Sequence, residues 1–225
     1  MPRTKLEPSI LEGRIYEALR QEIIEGALPP GQKLVETRIA QEFGVSKTPA
    51  REALIRLQRD GLVELAPYRG ARVVRPSSDD VLEVCELRLC IECYIARDLA
   101  HRRPSDAVQR LDQSIRASRG CLAIGDIPGY QREIRAFSRA FADSCGNRWM
   151  AQALRGVRDM LDLIGSASLG APGRAERSIE EHQRIFDAIR LGDVSGAEEA
   201  VIRHVRSIEH DSLAALEDLL KDGPA

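Results

Sequence analysis

The sequence predicts a mainly α-helical protein in two parts. A small N-terminal unit of three helices and a hairpin is followed by an antiparallel all-α helical bundle. Three observations carry that expectation. Aromatic residues make up 4% of the 225-residue chain against 43% hydrophobic residues overall, so the cores must be built from Leu, Ile, Val and Ala, which favours helices packed on helices. β-prone runs are confined to two short stretches between residues 62 and 75. From about residue 79 to Leu220 the spacing of apolar residues is helical throughout, punctuated by Gly and Pro.

The first helix is expected from about Ile10 to Glu25, with Ile15, Leu19, Ile23 and Ile24 on one face. It stops at the breaker cluster Gly26-Ala27-Leu28-Pro29-Pro30-Gly31. A short second helix covers about Glu36 to Phe43, with Ile39, Ala40 and Phe43 facing inward, and Gly44-Val45 makes a tight turn. The third helix starts around Ser46–Thr48, either of which can cap it. Pro49 is tolerated because first-turn amides need no helical acceptor. This helix runs to Asp60 with Ala53, Leu54 and Leu57 inward, and Gly61 supplies the stop. The runs Leu62–Leu65 and Ala71–Arg75, around the loop Ala66-Pro67-Tyr68-Arg69-Gly70, read as a hairpin. Pro76-Ser77-Ser78-Asp79-Asp80 is a linker that ends in a helix cap.

Six helices follow, near 79–102, 105–124, 127–145, 148–165, 175–191 and 193–220. Their punctuation is Pro104, Gly120, Gly125, Pro128-Gly129, Gly146, the stretch from Gly165 to Gly173, and Gly192. The expected organisation is an N-terminal tail (1–9), a first domain (10–76), a helical domain (77–220) large enough to fold by itself, and a C-terminal tail (221–225).

Composition excludes several classes. No apolar run approaches the ~18 residues of a membrane span, and Met1-Pro2-Arg3-Thr4-Lys5-Leu6-Glu7 lacks the hydrophobic stretch of a signal peptide. Five cysteines, an odd number scattered through helices, read as reduced thiols rather than a disulfide framework, so a cytoplasmic protein is expected. Cys90-Ile91-Glu92-Cys93 has redox or metal-site spacing, but without a second pair these are read as core thiols. The net charge of −2 divides unevenly: residues 1–76 hold 13 basic and 10 acidic side chains, the remainder 20 and 25. A mildly basic module on an acidic body suits an anionic partner for the first domain.

The order helix, helix, Gly turn, helix, hairpin is that of a winged helix-turn-helix. The first turn of the third helix carries Ser46, Lys47, Thr48 and Arg51, with Lys47 and Arg51 on one face, opposite Ala53, Leu54 and Leu57. Double-stranded DNA suits this set. Hydroxyls and free helix-start amides accept phosphates, and Arg51 can fork onto a guanine edge. Arg69 and Gly70 at the hairpin tip would bring backbone close to an adjacent groove. Arg56 and Arg59 read as solvated charges.

The stretches Gly26–Leu34, Ala40–Leu54, Gly61-Leu62-Val63 and Arg69-Gly70-Ala71 resemble the DNA-binding domain of GntR-family bacterial transcription regulators over residues 10–76. In that family an Arg often follows the Leu after the Pro-Gly turn by three residues. Here that position is Thr37, with Arg38 beside it as the candidate contact. The helical domain resembles the all-helical effector domain of the FadR-like branch over about 80–210, through Leu87-Arg88-Leu89, Glu92, Phe137, Cys145-Gly146-Asn147, Glu181-His182, Ala188-Ile189, Gly192-Asp193 and His204.

Many members of that branch hold a divalent metal through one Asp and three His. The resemblance places the Asp at Ile134 and the first His at Ser138, leaving His182 and His204. Two imidazoles fall short of the usual three or four protein ligands, so no metal cofactor is required; zinc or nickel would be trapped weakly at most. Glu133 neighbours the Asp position but is turned ~100° away from it. His182 and His204 are read either as hydrogen-bonded core imidazoles or as donors to an organic effector in the same cavity. Arg88 either pairs with Glu92 four residues on or binds an effector carboxylate. With Ser138, these three residues form the candidate effector set.

The resulting expectation is a ligand-responsive regulator of transcription, a repressor in its simplest form. It would bind a near-palindromic DNA operator as a homodimer and respond to a small organic acid. Two alternatives stay open: a constitutive DNA-binding protein whose helical domain only dimerises, and an enzyme built on the bundle. No nucleophile–base pair, phosphate-binding Gly loop or paired-carboxylate motif recommends the second.

Overall fold

The computed structural model describes residues 8–66, 70–168 and 173–221. It divides into two compact units, Met1–Pro76 and Ser77–Ala225. In the first, α1 (Pro8–Ile24) leads to strand β1 (Lys33–Leu34), helices α2 (Glu36–Glu42) and α3 (Lys47–Arg59), and strands β2 (Val63–Ala66) and β3 (Gly70–Val73). The apolar face of α1, with Ile15, Leu19, Ile23 and Ile24 all buried, packs on Ala50, Ala53, Leu54 and Leu57 of α3. Tyr16 adds a polar tie by donating its hydroxyl to Asp60 at 2.7 Å. Gly44 holds the α2–α3 turn at φ +64°, a conformation that costs a residue with a Cβ about 1–2 kcal/mol.

The sheet order is β1-β3-β2, antiparallel throughout. The hairpin is where the sequence puts it, with β2 one residue later than expected and β3 beginning one residue earlier and ending two earlier. β1 is an addition: Lys33 pairs with Arg72 and Leu34 with Ala71. Two residues are too few to show alternation, so such a strand exists only through its partner. The expected loop residues Pro67, Tyr68 and Arg69 lie outside the described residues.

The second unit contains α4 (Ser78–Arg102), α5 (Ser105–Ala123), α6 (Ile127–Asp143), α7 (Arg148–Gly156), α8 (Arg158–Ser168), α9 (Arg174–Leu191) and α10 (Val194–Lys221). A capping box opens α4: Asp80 donates its amide to the Ser77 hydroxyl at 3.1 Å, and its carboxylate accepts the Ser77 amide at 2.8 Å. Helices α4 and α10 pack together through the middle of the unit. Arg97 pairs with Glu198, whereas Cys85, three turns earlier, is within electrostatic reach of Glu209, so the two helices run antiparallel. Around them α5 lies against α6 and α9, and α9 against α10. Ile95, Leu99, Leu111, Ile185, Ile189, Val201 and Val205 fill the interior.

Two expectations about the bundle are corrected. The helix expected over 148–165 is two, broken at Val157 (φ −112°, ψ 6°) just after Gly156, whose missing side chain weakens the helix at that point. Gly120 and Gly165, read as stops, lie inside α5 and α8, where packing of their helices outweighs a penalty of about 1 kcal/mol.

Candidate functional site

In the first unit Ser46, Lys47, Thr48 and Arg51 lie at the start of α3, Arg38 on α2 and Gly70 at the start of β3. Ser46 is the N-cap in extended conformation, but its side chain makes no capping bond, and neither does that of Thr48, which is exposed. The helix start therefore keeps free amides next to two free hydroxyls. Lys47 is exposed and makes no ion pair among the described residues. The Arg51 side chain is 71% exposed, with Nε 4.0 Å from Glu36 of α2, and no acidic residue occupies the first turn of α3. Arg38 projects from α2 and bonds Glu42 at 2.8 Å. Gly70 opens β3 at φ +82°, and Arg69 lies outside the described residues. Arg56 departs from the solvated reading: its guanidinium sits 3.7 Å over the Tyr16 ring and 3.5 Å from Glu12, which ties α3 to α1.

In the second unit Arg88, Ser138, His182 and His204 all border one cavity of about 110 Å³, together with Ile134. Its apolar walls are Phe137 and Phe141 of α6, Leu154 of α7, Leu161 of α8, Ile185 of α9 and Ile208 of α10, so α7 and α8 join α4, α6, α9 and α10 around it. Glu133 is not among the lining residues, in keeping with its position a third of a turn away. Ser138 is exposed, and its hydroxyl donates to the Ile134 carbonyl at 3.3 Å.

Both readings of Arg88 hold together. It is buried, bonds Glu92 at 2.7 and 3.3 Å, and still borders the cavity. Burial works against its charge, but the Glu92 carboxylate outweighs that and raises the Arg88 pKa. His182 is 2% exposed and lies flat on Phe137, while the His204 ring is 4.7 Å away at 52°. Burial, reinforced by His204, Arg174 and Arg88, holds the His182 pKa well below 6.5. Its Nδ1 has no hydrogen-bond partner. Burial also lowers the His204 pKa, against the pull of Glu181.

Sequence reading missed the cluster that holds these imidazoles. Glu181 Oε2 lies 2.9 Å from His204 Nδ1 and 2.9 Å from Nη1 of Arg174, which is itself 2% exposed. Burial pushes the Glu181 carboxyl up, but His204 and Arg174 pull it further down, to about 2. A carboxylate there fixes the proton of neutral His204 on Nδ1 and leaves Nε2 as an acceptor. Arg174 Nε also approaches Asp211 of α10 to 3.2 Å, at ion-pair distance but without hydrogen-bond alignment. A trace of this network was present in the sequence. Arg174, Ser178, Glu181 and Ile185 recur at helical spacing, so α9 carries a polar stripe along an inward face.

Arg158, at the start of α8, also went unnoticed. It borders the cavity, half-buried, and makes no hydrogen bond or ion pair with any described residue. Burial lowers its pKa below the usual guanidinium value even though Asp162 and Asp143 pull the other way.

The donors present do not fit a divalent metal. Ile134 and Ser138 border the cavity at the places where the resemblance puts Asp and His, and neither is a good ligand. Among the described residues no group of three or more His, Cys, Asp or Glu side chains is placed to hold an ion. Four arginines (88, 135, 158 and 174) border the same space with Glu92 and Asp162, so the lining has no excess of negative charge to draw in a dication. The cysteine reading needs a correction: Cys85 and Cys93 are buried, with thiol pKa values raised by burial, but Cys90 is exposed. Among the described residues no helix is long and apolar enough to cross a membrane.

Two family models match the chain: "Bacterial regulatory proteins, gntR family" over residues 11–73 and "FCD domain" over residues 83–207. A Streptomyces ambofaciens protein described as an uncharacterized HTH-type transcriptional regulator is 31% identical over 88% of this chain and 83% of its own length. The Escherichia coli K12 HTH-type transcriptional repressor RspR is 25% identical over 91% of this chain and 90% of its own. Among solved structures, a GntR regulator from Rhodococcus sp. RHA1, titled as putative, shares the fold with a TM-score of 0.79 at 24% identity, covering 90% of this chain and 97% of that one.

Proposed function

The chain belongs to the gntR family of bacterial regulatory proteins and carries the FCD domain, and on that premise we propose a ligand-responsive repressor that binds operator DNA as a homodimer. The families and relatives it matches are transcription regulators, not enzymes. The observation that carries the DNA half of the proposal is the start of α3. Ser46 and Thr48 offer hydroxyls and helix-start amides to phosphates, Lys47 adds a cation with no ion pair among the described residues, and Arg51 extends into solvent from the same face. Arg51 reads a base edge, while Lys47, Arg38, Arg69 and Gly70 position the backbone. One such helix reads a few base pairs, so useful affinity requires two, and a two-fold dimer implies a near-palindromic site.

The helical domain, 77–220, senses a small organic acid in its cavity, with Arg88, His182, His204 and Ser138 as contacts and no metal required. The support is a cavity that combines guanidinium donors, neutral imidazoles and apolar walls. RspR and the Paenarthrobacter nicotinovorans protein named as a probable D-xylose utilization operon repressor support repression as the mode of action. The test is fluorescence anisotropy with DNA from upstream of the gene, for wild type and Arg51→Ala, with organic acids added. Saturable binding that Arg51→Ala loses and an acid releases supports the proposal. Binding that no acid alters would favour a constitutive DNA-binding protein.

A further inference from the structure

The cations of the cavity are not equivalent. Arg88 is neutralised by Glu92, and Arg174 by Glu181 and Asp211. Arg135 is engaged within the fold as well. Arg158 differs: it faces the same space, is half-buried, and touches no carboxylate or other hydrogen-bonding group among the described residues. A half-buried guanidinium without a bonded partner among the described residues, with Asp162 and Asp143 acting on it only through space, is the point at which an incoming anion gains most. His182, 2% exposed, borders the same cavity, and its Nδ1 has no hydrogen-bond partner among the described residues; a buried imidazole held neutral suits a hydroxyl or carbonyl rather than a second charge.

We propose that the cavity selects a small monoanionic acid bearing a second, uncharged polar group. Arg158 anchors its carboxylate, and His182 Nδ1 bonds its neutral group. This inference rests on the reading of the cavity as the effector site, and it assigns that site's charge anchor and ligand class. A dianion would set its second carboxylate against a neutral imidazole, which offers one hydrogen bond and no charge, and against guanidiniums already paired with Glu92 and Glu181, where a buried charge is compensated only in part. Size narrows the class further. About 110 Å³ is less than the ~150 Å³ of an apolar cavity that takes benzene, so the ligand has at most about six heavy atoms.

The experiment is isothermal titration of metal-stripped full-length protein with a three-carbon panel: the two hydroxypropionates, propionate, malonate and 3-hydroxypropionamide. At least one hydroxypropionate should bind about three- to tenfold tighter than propionate, malonate at least about tenfold weaker, and the amide not measurably. Arg158→Gln should weaken the acid about ten- to hundredfold, with Arg158→Lys recovering part of the loss. His182→Phe, which preserves the stacked ring, should erase the advantage of the hydroxyl and leave propionate unchanged. Equal binding of malonate, unchanged affinity in Arg158→Gln, or no binding by any acid at millimolar concentration overturns the inference. Ser138→Trp, at the exposed rim, separates the two levels. Acid binding that survives this plug removes the cavity as the effector site, whereas binding lost to the plug but kept in Arg158→Gln removes Arg158 alone.

Discussion

The His182 imidazole stacks on Phe137 with ring centroids 4.1 Å apart and planes inclined by 16°. The stack fixes the imidazole at the heart of the helical domain, where burial and the nearby His204, Arg174 and Arg88 disfavour its charged form. His204 completes the pair, held by Glu181. A centre that the family resemblance would fill with a cation is here built from neutral rings and matched ion pairs. The electrostatics of this domain follow from that substitution.

Acid should weaken the helical domain from about pH 6.5 downward. Folding lowers the pKa of both imidazoles, by burial above all. Below pH 6.5 an unfolded chain therefore binds protons that the folded one refuses, and each imidazole removes up to about 1.4 kcal/mol per pH unit. Their contribution is complete above that pH. Glu181 acts in the same direction lower down, its contribution fading as pH falls from about 4.5 toward about 2. Urea unfolding at about pH 7.5 and pH 5.5 measures this. Wild type should lose stability between the two, His182→Phe distinctly less, and equal losses would contradict a neutral buried His182.

Glu181→Leu should be among the most damaging single changes in the protein. It leaves Arg174, 2% exposed, with one carboxylate partner instead of two, and deprives His204 of its acceptor. Breaking a buried pair on one side costs about 3–5 kcal/mol. The double change Arg174→Leu/Glu181→Leu should recover part of that loss, because no charge is then stranded. Thermal melts of the three proteins decide it, and additive losses would show that the pair is not coupled.

Purified protein should hold well under one equivalent of zinc or nickel, and a chelator should leave its melting temperature unchanged. Two imidazoles give too little binding free energy to couple a metal to folding. Stoichiometric metal by elemental analysis, lost in His182→Ala/His204→Ala, would overturn this and would implicate Glu92, which borders the same cavity, as a further ligand.

What was legible in the sequence was local. Gly44, Val45 and the Ser46–Thr48 start of α3 announce a turn and a helix through backbone chemistry confined to a few residues, and they appear in place. Arg88, Ser138, His182 and His204 were legible as a set through a resemblance that carries tertiary information, and they border one cavity. Strand β1 was not legible, because two residues acquire strand character only from Arg72 and Ala71 across the ladder. Nor was the Arg174–Glu181–Asp211 cluster, which α9 and α10 assemble from residues up to 37 positions apart. Arg158 was hidden by the break at Val157, which sets the register of α8 independently of α7.

The two cations at the start of α3 should fail in different ways. Arg51 is the side chain assigned to a base edge, so Arg51→Ala should cost about 1–3 kcal/mol on the operator and little on unrelated DNA. Lys47 is assigned to a phosphate, so Lys47→Ala should weaken binding to every sequence and reduce the salt dependence by about one unit of log–log slope. Neither change threatens the fold. Both side chains are exposed, and the face that packs on α1 consists of Ala50, Ala53, Leu54 and Leu57. Arg56→Ala is the control on the same helix: its guanidinium is committed to Tyr16 and Glu12, so its loss should lower stability more than DNA affinity. Anisotropy titrations at several salt concentrations, on operator and scrambled duplex, separate the three. An Arg51→Ala protein that still prefers the operator by the wild-type factor would move the reading face off α3.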